Sequence, residues 1–387
     1  MWKHLASNGL TMLVVALVAV AGVIGWGVNQ YREPGPLSQA ICLRVEPGTS
    51  FNAVSRDLES QGAVGSAQIL RMGADYTKKS GALKAGSFLV PEEASMEEIV
   101  DIVTRGGQST CGTEVVYRIG VRSAEVEIRE LDPATGRFVE EAAFDPMAEE
   151  VEVPEAYTQV RDQSDTRYRV AVAEGVTSWQ IVEALKAADF MDGTVAELPD
   201  EGRLAPDSYE VGAGASRSNL LARMEARQDE RLAAAWDNRA DGLPYDTPEE
   251  ALIMASIVEK ETGVAEERPQ VASVFVNRLR QGMRLQTDPT VIYGITNGEG
   301  VLGRGLRRSE LDAATPYNTY VIDGLPPTPI ANPGLDAIEA ALDPATTEYL
   351  YFVADGTGGH AFATNLSDHN SNVARWREIE AQRGANQ

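Results

Sequence analysis

The chain of 387 residues contains 58 acidic and 34 basic residues, which gives a formal net charge of −24. At about 150 residues per domain this length predicts two or three domains, and an apolar content of 43% excludes a largely disordered chain. The acidic balance argues against nucleic-acid binding, because neutralising phosphates requires clustered Lys and Arg. Two cysteines exclude cysteine-rich zinc modules, and three histidines, with His4 near the N-terminus, argue against a histidine-based metal site. We therefore predict no metal and no cofactor.

The N-terminal 31 residues predict a membrane anchor. Residues 10–28 carry no charge, and as a helix they span about 28 Å, close to the hydrocarbon thickness of a bilayer. Lys3 favours a cytoplasmic N-terminus. Residues 1–31 would then be a cytoplasmic tail and a single transmembrane helix, with the rest of the chain in an extracytoplasmic space. A cleaved signal peptide is the alternative, since residues 19–21 resemble a cleavage site, but the apolar run continues past them and favours a retained anchor.

Residues 41–107 predict a small αβ module. Strands are predicted at Ile41–Val45 and at 83–90. Three helices are predicted, which begin after a Thr49 or Ser50 cap, at about Ser66, and after a Ser95 cap. Cys42 and Cys111 bracket this segment, and in an extracytoplasmic space they could form a disulfide. Two free or buried thiols are the alternative, because a sequence does not show the separation of the two Cα atoms.

The same pattern recurs in residues 166–242, with strands predicted at 168–172 and 204–209. Helix caps are predicted at Thr177 or Ser178 and at Ser218. The first of these helices is predicted to bury four apolar side chains, namely Trp179, Ile181, Val182 and Leu185. The sequence therefore predicts a second strand–helix module that leads into the C-terminal part.

Residues 108–165 predict an acidic insertion between the two copies. Residues 115–131 alternate apolar and charged side chains, and residues 132–136 resemble a turn before Phe138. We predict a β-hairpin followed by an acidic linker. A partner-binding arm is one interpretation of this segment, and a solvated insertion is the other.

Residues 243–387 predict a helical base that carries long polar loops. A helix is predicted to begin at Thr247-Pro248 and to be buried on most faces over residues 251–258. A second helix is predicted at 269–281, a strand at 348–355 and a closing helix at 371–382. The intervening sequence is rich in Gly, Pro, Asn, Thr and Tyr, which is typical of loops that line a binding cleft; examples lie at 286–289, 315–320 and 324–329.

The side chains available for chemistry are carboxylates beside amides, hydroxyls and aromatic rings, a set that suits a carbohydrate. Phosphate-loop, dinucleotide, zinc and serine-nucleophile motifs are absent from the sequence. Glycosidic cleavage needs a protonated carboxyl at the leaving oxygen, and a Glu at the end of a buried helix is suited to this because desolvation raises its pKa. Glu259 and Glu261 both qualify, and helical spacing does not choose between them. The alternative is that both are surface acids paired with Lys260.

The C-terminal part resembles the YceG-type (MltG) endolytic murein transglycosylase family. The segments that carry the resemblance are IVEKET at 257–262, VASVFVNRL at 271–279, MRLQTDPTVIYG at 283–294, PYNTY at 316–320, GLPP at 324–327, and YLYFVADG at 349–356 through His360. The resemblance extends from about residue 243 to the C-terminus. The 41–107 module resembles the LysM-like subdomain of this family, and the 108–165 insertion does not match the family pattern.

The resemblance implies an α+β fold with a lysozyme-like catalytic cleft in residues 243–387. It implies non-hydrolytic cleavage of the N-acetylmuramic–N-acetylglucosamine link within peptidoglycan strands, which leaves 1,6-anhydro-muramic ends and ends strand elongation, with peptidoglycan synthases as partners. Glu261 would be the single acid and base. The resemblance also implies eight cleft residues, Gln286, Asp288, Tyr293, Tyr317, Asn318, Tyr320, His360 and Asn365, some of which would only hold loops in place.

Two other functions remain open from the residues. A hydrolytic muramidase would need a base for water, for which Asp288 is the first candidate. A non-catalytic glycan-binding scaffold would leave Glu261 dispensable. Three arginines, Arg278, Arg280 and Arg284, could meet peptide-stem carboxylates or be solvated helix charges. For His360 a hydrogen bond in the cleft or a loop is expected rather than a metal.

Overall fold

The computed structural model describes residues 2–105, 109–163 and 165–384. Both helices and strands occur along this length, so the fold class is α+β, as predicted. The predicted boundary between the first module and the insertion, at 107/108, lies outside the described residues. The helices are, in chain order, α1 (Trp2–Arg32), α2 (Phe51–Ser60), α3 (Ala67–Tyr76), α4 (Met96–Thr104), α5 (Glu155–Val160), α6 (Ser178–Ala187), α7 (Arg217–Asp237), α8 (Pro248–Glu261), α9 (Arg268–Arg280), α10 (Asp288–Thr296), α11 (Arg308–Leu311), α12 (Leu335–Leu342) and α13 (Leu366–Gly384).

The strands of the described chain form four sheets. They are β1 (Ile41–Val45), β2 (Gly86–Val90), β3 (Thr113–Ile119), β4 (Ala124–Asp132), β5 (Arg137–Phe144), β6 (Arg167–Val172), β7 (Met191–Asp192), β8 (Ser208–Val211), β9 (Ala215–Ser216), β10 (Tyr351–Ala354) and β11 (His360–Ala363). Three sheets are pairs, β1-β2, β7-β9 and β10-β11, and the fourth has the order β5-β4-β3-β6-β8.

The chain divides into two compact units. The first contains the residues up to Val115 together with Glu127–Ala143 and Val153–Arg167. The second contains Val116–Val126, Phe144–Glu152 and the residues from Tyr168 onward.

Helix α1 has the length and composition of a membrane span. Within the described residues, Thr11–Arg32 is the one helical segment long and apolar enough to cross a membrane, and a signal sequence near the N-terminus would pass the same test. Its large apolar side chains are exposed, with 76% of Met12 and 67% of Val23 accessible. The helix is therefore compatible with the predicted anchor, while the membrane and the orientation stay predictions.

The N-terminal part of the first unit contains the predicted strands and helices. β1 pairs antiparallel with β2, and the second strand begins at Gly86, three residues later than predicted. Helices α2, α3 and α4 each start at a serine whose hydroxyl accepts a backbone N–H, namely Ser50, Ser66 and Ser95. Their apolar faces form one core with the strands. Cys42 and Cys111 are joined by a disulfide with the Cα atoms 5.6 Å apart, so the bridge is formed rather than two free thiols.

The acidic insertion contains more strand than predicted. The turn at 132–136 joins β4 to β5 as expected: the Asp132 carboxylate accepts the Ala134 N–H at 2.9 Å, and Gly136 has a φ of 66° that favours glycine. β3 precedes this hairpin, and β3 and β4 belong to the five-stranded sheet with β6 and β8. The predicted hairpin is therefore present as β4-β5, but its pairing with further strands was not predicted, because local alternation does not reveal a partner strand from a later segment.

The second strand–helix module differs from its prediction in three places. β6 pairs antiparallel with β8, but β8 begins at Ser208, so residues 204–207 lie outside the strand. Thr177 caps α6, whereas Ser216 rather than Ser218 caps α7. Trp179 is part-buried, because the buried face of α6 follows Ser178, Ile181, Val182 and Leu185.

Helix α8 is the centre of the C-terminal core. Thr247 and Glu250 form a capping box at its start, with Pro248 at the first helical position as predicted. Residues 251–258 are all buried, because α7, α9, α10 and α12 pack around this helix. The following helix, α9, is confirmed within one residue at each end.

The predicted long loops contain three short helices. α10, α11 and α12 lie in sequence that was interpreted as loops or left unassigned. Only Thr290 and Val291 of α10 are buried. The buried face of this helix therefore lacks the repeated apolar positions from which a helix is predicted. The glycine turn after β10 leads into β11, which pairs antiparallel with β10. The closing helix begins at Leu366 rather than at residue 371.

Candidate active site

Glu261 is the last residue of α8 and lines a cleft of about 510 Å³ in the second unit. Thr287 directly precedes α10, and its hydroxyl donates a hydrogen bond to Glu261 Oε1. The cleft is lined further by Phe275, Arg278, Leu285, Gln286, Asp288, Tyr320, Tyr351, Phe352, Val353, Leu366, His369 and Val373. The apolar run of α8 thus ends at a cleft lined by polar, aromatic and aliphatic side chains.

The Glu261 carboxyl has a raised pKa. Burial is the largest cause, and the negative charge of Asp288 also raises the pKa. The Thr287 hydrogen bond and the positive charges of His360 and Arg278 act in the opposite direction. Since burial prevails, Glu261 keeps its proton to a higher pH than an exposed glutamate. Such a carboxyl can donate a proton and, once ionised, can accept one.

Arg278 is a buried cation in the same cleft, with 7% of its surface exposed. Its Nε donates to the Leu350 carbonyl at 2.7 Å and its Nη1 to the Leu285 carbonyl at 2.6 Å. The guanidinium carbon lies 5.2 Å from the centre of the Tyr351 ring. The interpretation of Arg278 as a solvated helix charge was therefore wrong, whereas Arg280 and Arg284 are exposed.

Three predicted cleft residues, Gln286, Asp288 and Tyr320, lie together with Glu261 in the cleft. The Tyr320 hydroxyl donates to Asp288 Oδ1 at 2.7 Å. Gln286 has a left-handed φ of 51°, and its N–H donates to the Thr319 carbonyl at 3.1 Å. Because a non-glycine residue rarely adopts this φ, the surrounding contacts must hold the segment in place.

Glu259 has a different environment from Glu261. Its Oε2 accepts the Gly334 N–H at 3.1 Å, and its Oε1 lies 3.9 Å from Arg268 Nη2. Lys260 pairs with neither glutamate by hydrogen bond and donates instead to the Gly175 carbonyl at 3.0 Å. The interpretation of both glutamates as surface acids paired with Lys260 was therefore wrong.

Three other predicted residues do not line this cleft. Asn318 is fully buried, and its amide donates to the carbonyls of Glu310, Leu311 and Ala313. Asn365 is exposed and accepts the Asp368 N–H at 3.0 Å near the start of α13. His360 bonds through Nδ1 to Glu267 Oε2 at 2.8 Å. These contacts hold loops and helix ends in position.

Tyr293 and Tyr317 lie together, away from the cleft of Glu261. Their ring centres are 5.0 Å apart. The Tyr293 hydroxyl bonds to Glu201 at 3.2 Å, and the Tyr317 hydroxyl to Thr328 at 2.7 Å. Tyr293 lines a second cleft of the same unit.

The sequence reasoning missed several cleft residues. Thr287 sits inside the QTDP segment and could have been noticed as a hydroxyl beside two predicted residues. Tyr351 and His369 stack with ring centres 5.1 Å apart. Tyr351 lies in one of the segments that carry the family resemblance, whereas His369 lies beyond them and was considered only as a metal ligand. In the described parts of the chain, no three His, Cys, Asp or Glu side chains are grouped closely enough to hold a metal ion.

The sequence of this chain is similar to those of known proteins. The sequence model of the YceG-like family matches residues 144–375. Two curated relatives from Streptococcus pneumoniae (strains D39 and R6) are both named endolytic murein transglycosylase. Each is 29% identical to this chain over 390 residues, which cover 96% of this chain. This chain spans 65% of the length of each of these relatives.

A third relative and a solved structure cover different shares of the chain. An endolytic murein transglycosylase of Bacillus subtilis (strain 168) is 48% identical over 120 residues, 31% of this chain and 32% of that protein. A crystal structure of a yceG-like protein from Listeria monocytogenes is 24% identical, with a TM-score of 0.46, and covers 86% of this chain and 98% of that chain.

Proposed function

Because the chain belongs to the YceG-like family, we propose that it is an endolytic peptidoglycan lytic transglycosylase. The observation that carries this proposal is the position of Glu261 at the end of α8, where its carboxyl lines a polar, aromatic cleft and burial raises its pKa. The relatives named endolytic murein transglycosylase support the same substrate and reaction. The products are strands that end in 1,6-anhydro-muramic units, so the reaction ends strand elongation.

In the proposed reaction Glu261 acts first as acid and then as base. Its proton passes to the glycosidic oxygen as the bond from the muramic anomeric carbon to that oxygen breaks. The carboxylate then takes the proton of the muramic primary hydroxyl, whose oxygen closes on the anomeric carbon. No water is consumed, and the carboxyl returns to its starting state. The positive charge of Arg278 in the same cleft favours the ionised intermediate of Glu261.

The residues proposed to contact the glycan fall into two groups. Gln286, Asp288 and Tyr320 line the cleft of Glu261, and Tyr351 adds an aromatic face there. Tyr293, Tyr317 and His360 are proposed to bind or orient more distant sugars. Asn318 and Asn365 act by holding the backbone, as their hydrogen bonds to loop and helix-end groups indicate.

The proposal also includes the membrane anchor, the division into domains and the partners. Residues 1–31 anchor the chain in the inner membrane with the N-terminus in the cytoplasm, and the rest is periplasmic; the apolar, exposed face of α1 supports this. Residues 41–107 form a LysM-like module, residues 108–165 an acidic insertion, residues 166–242 a second strand–helix module and residues 243–387 a catalytic domain with a lysozyme-like cleft. Peptidoglycan glycan strands are the substrate, and peptidoglycan synthases are partners.

Mass analysis of digested glycan tests the reaction. Uncross-linked strands treated with the protein are expected to give anhydro-muramic ends, each lighter by one water than a reducing end. Internal cleavage is expected to give a spread of lengths from the earliest time points. Glu261→Gln removes the transferable proton and is expected to lower the rate by at least about 100-fold, since general acid–base catalysis contributes that much.

Two results would contradict the proposal. Reducing ends would indicate a hydrolytic muramidase, in which Asp288, hydrogen-bonded to Tyr320 in the same cleft, would be the base to test by Asp288→Asn. Intact strands bound by a folded protein would indicate a glycan-binding scaffold. Glu259→Gln is the matched control, because it makes the same change two residues away at a carboxyl that bonds Gly334 and faces Arg268.

A further inference from the structure

A second cleft of about 660 Å³ lies in the same unit as the Glu261 cleft. Three basic side chains line it, those of Arg122, Lys260 and Arg304, together with the ring of Tyr293. Within the described residues, no acidic side chain belongs to its lining. The basic lining stands in a chain with a net charge of −24, although Glu310 pairs with Arg304 and the charges of Glu259 and Glu201 act on Lys260 from outside the lining. A cleft with this lining suits an anionic ligand.

Both clefts are lined by residues from the same two helix ends. Lys260 lines the second cleft and Glu261 the first, and both belong to the last turn of α8. Pro289 lines the second cleft and Asp288 the first, and both belong to the first turn of α10. The two clefts therefore share the C-terminal end of α8 and the N-terminal end of α10 as parts of their walls.

The three basic side chains differ in how many of their hydrogen-bond donors are already used within the protein. Arg304 forms a two-pronged pair with Glu310, at 2.9 Å through Nη1 and 2.5 Å through Nη2, and is already neutralised. Lys260 uses one donor on the Gly175 carbonyl, which leaves donors of its ammonium group for a ligand. Arg122 is exposed and, within the described chain, has no carboxylate partner. Arg122 and Lys260 are thus the groups that can bind an anion.

A glycine gives room for the Tyr293 ring in the lining of this cleft. Gly298 has a φ of 76°, and a Cβ at this position would lie 3.0 Å from Cε2 of Tyr293. A side chain there would push against the ring. The Gly298 carbonyl accepts the Thr177 hydroxyl at 2.6 Å, which fixes the loop over the cleft. The cleft is therefore a formed feature of the unit and not a gap between mobile side chains.

We propose that this second cleft binds a carboxylate of the peptide stem carried by the muramic sugar at the cleavage site. The inference rests on the proposed function and extends it to a determinant of substrate choice. A five-residue stem extends up to about 17 Å from its sugar, which is ample reach from Glu261 to Lys260. A phosphate of a lipid carrier has similar charge, but it occurs only at one end of a strand, whereas a stem is present at every muramic unit that an internal cut can meet.

Kinetics with two forms of the same strands test this proposal in the full-length protein. The substrates are uncross-linked glycan strands with pentapeptide stems and the same strands after amidase has removed the stems. The wild-type KM is expected to be lower for stem-bearing strands. Arg122→Gln is expected to raise the KM for stem-bearing strands about fivefold, the scale of an exposed ion pair, so that the preference over stripped strands is lost. Lys260→Gln is expected to weaken the same preference.

The control is Arg56→Gln, which removes the same charge from an exposed position of α2 in the other unit. It is expected to keep the wild-type preference. An equal rise in KM for both substrates in Arg122→Gln would show a general glycan contact and overturn the proposal, as would a wild-type protein without preference.

Binding to a Glu261→Gln protein separates this proposal from the proposed reaction. Affinity for intact stem-bearing and stripped strands can be measured there whether or not the wild type forms anhydro ends. If affinity follows a terminal lipid pyrophosphate and not the stems, the carboxylate assignment is wrong. If anhydro ends never form but the stem preference persists and disappears with Arg122→Gln, the proposed reaction fails and the stem site stands.

Discussion

Glu259 and Glu261 lie two residues apart on α8, and their carboxyls have different surroundings. Glu259 is enclosed by a backbone N–H donor and the charge of Arg268, which is a structural environment. Glu261 has one hydroxyl donor, from Thr287, and otherwise lines the cleft. Burial raises the pKa of both carboxyls, so the pKa alone does not identify the acid. Access to the cleft distinguishes them.

Glu261→Gln is expected to leave the protein as stable as the wild type or more stable at neutral pH. The raised pKa means that the folded state binds more protons than the unfolded state at Glu261. The contribution of this proton to stability is fully present below the unfolded pKa and is lost as pH rises through the folded pKa. The glutamine keeps an acceptor for the Thr287 hydroxyl, and it carries no charge to bury.

Denaturant unfolding of wild type and Glu261→Gln at several pH values measures this effect. The difference in the free energy of unfolding should shift in favour of the variant as pH rises from about 4. A variant that is clearly less stable at neutral pH would instead mean that ionised Glu261 takes part in a stabilising ion pair, for example with Arg278.

At the scale of elements, the N-terminal module contains three serine-capped helices and one disulfide. The serine caps begin α2, α3 and α4, while the sheet contains only β1 and β2. A two-stranded sheet is marginal by itself and depends on the helices that pack on it. The disulfide from Cys42 in β1 to Cys111 closes a long loop around this module.

Replacing both cysteines by serine is expected to destabilise the module. For a sequence separation of 69 residues, loop-closure entropy gives a loss of about 4 kcal/mol in the free energy of unfolding. Hydrogen exchange of the amides in β1 and β2, compared between oxidised wild type and the double serine variant, would locate the loss. Unchanged protection in these strands would show that the bridge adds little to the packed core.

At the scale of the whole molecule, the catalytic proposal requires the cleft to face the compartment that contains peptidoglycan. Helix α1 is compatible with this location, because its apolar side chains are exposed and would be costly to leave in water. A retained anchor would limit the protein to strands close to the membrane.

The full-length protein is expected to stay in the membrane fraction after an alkaline carbonate wash, with its N-terminus intact. The physical reason is the transfer of the uncharged run of α1 into the hydrocarbon core. A matched chain that begins at residue 33 should be released into the supernatant. A mature protein that starts at Gly22 would show that the segment is a cleaved signal sequence.

Features that depend on neighbouring residues could be predicted from the sequence. Serine and threonine caps, the apolar run of α8, the turn at 132–136 and the uncharged run of α1 all follow from interactions within a few residues of chain. The family resemblance, carried by contiguous segments, also required no knowledge of distant contacts, and it selected Glu261 as the proposed acid where helical spacing did not choose.

Features that depend on residues far apart in the chain became visible only in the folded protein. The fold separated Gln286, Asp288 and Tyr320, which line the cleft, from Asn318, whose amide is used up by three carbonyls. It also showed that β3 and β4 share a sheet with β6. It revealed Arg278 as a buried cation in the cleft. The reason is physical: a side chain that bonds a carbonyl and one that faces a ligand have the same local sequence signal, and only the fold places their partners.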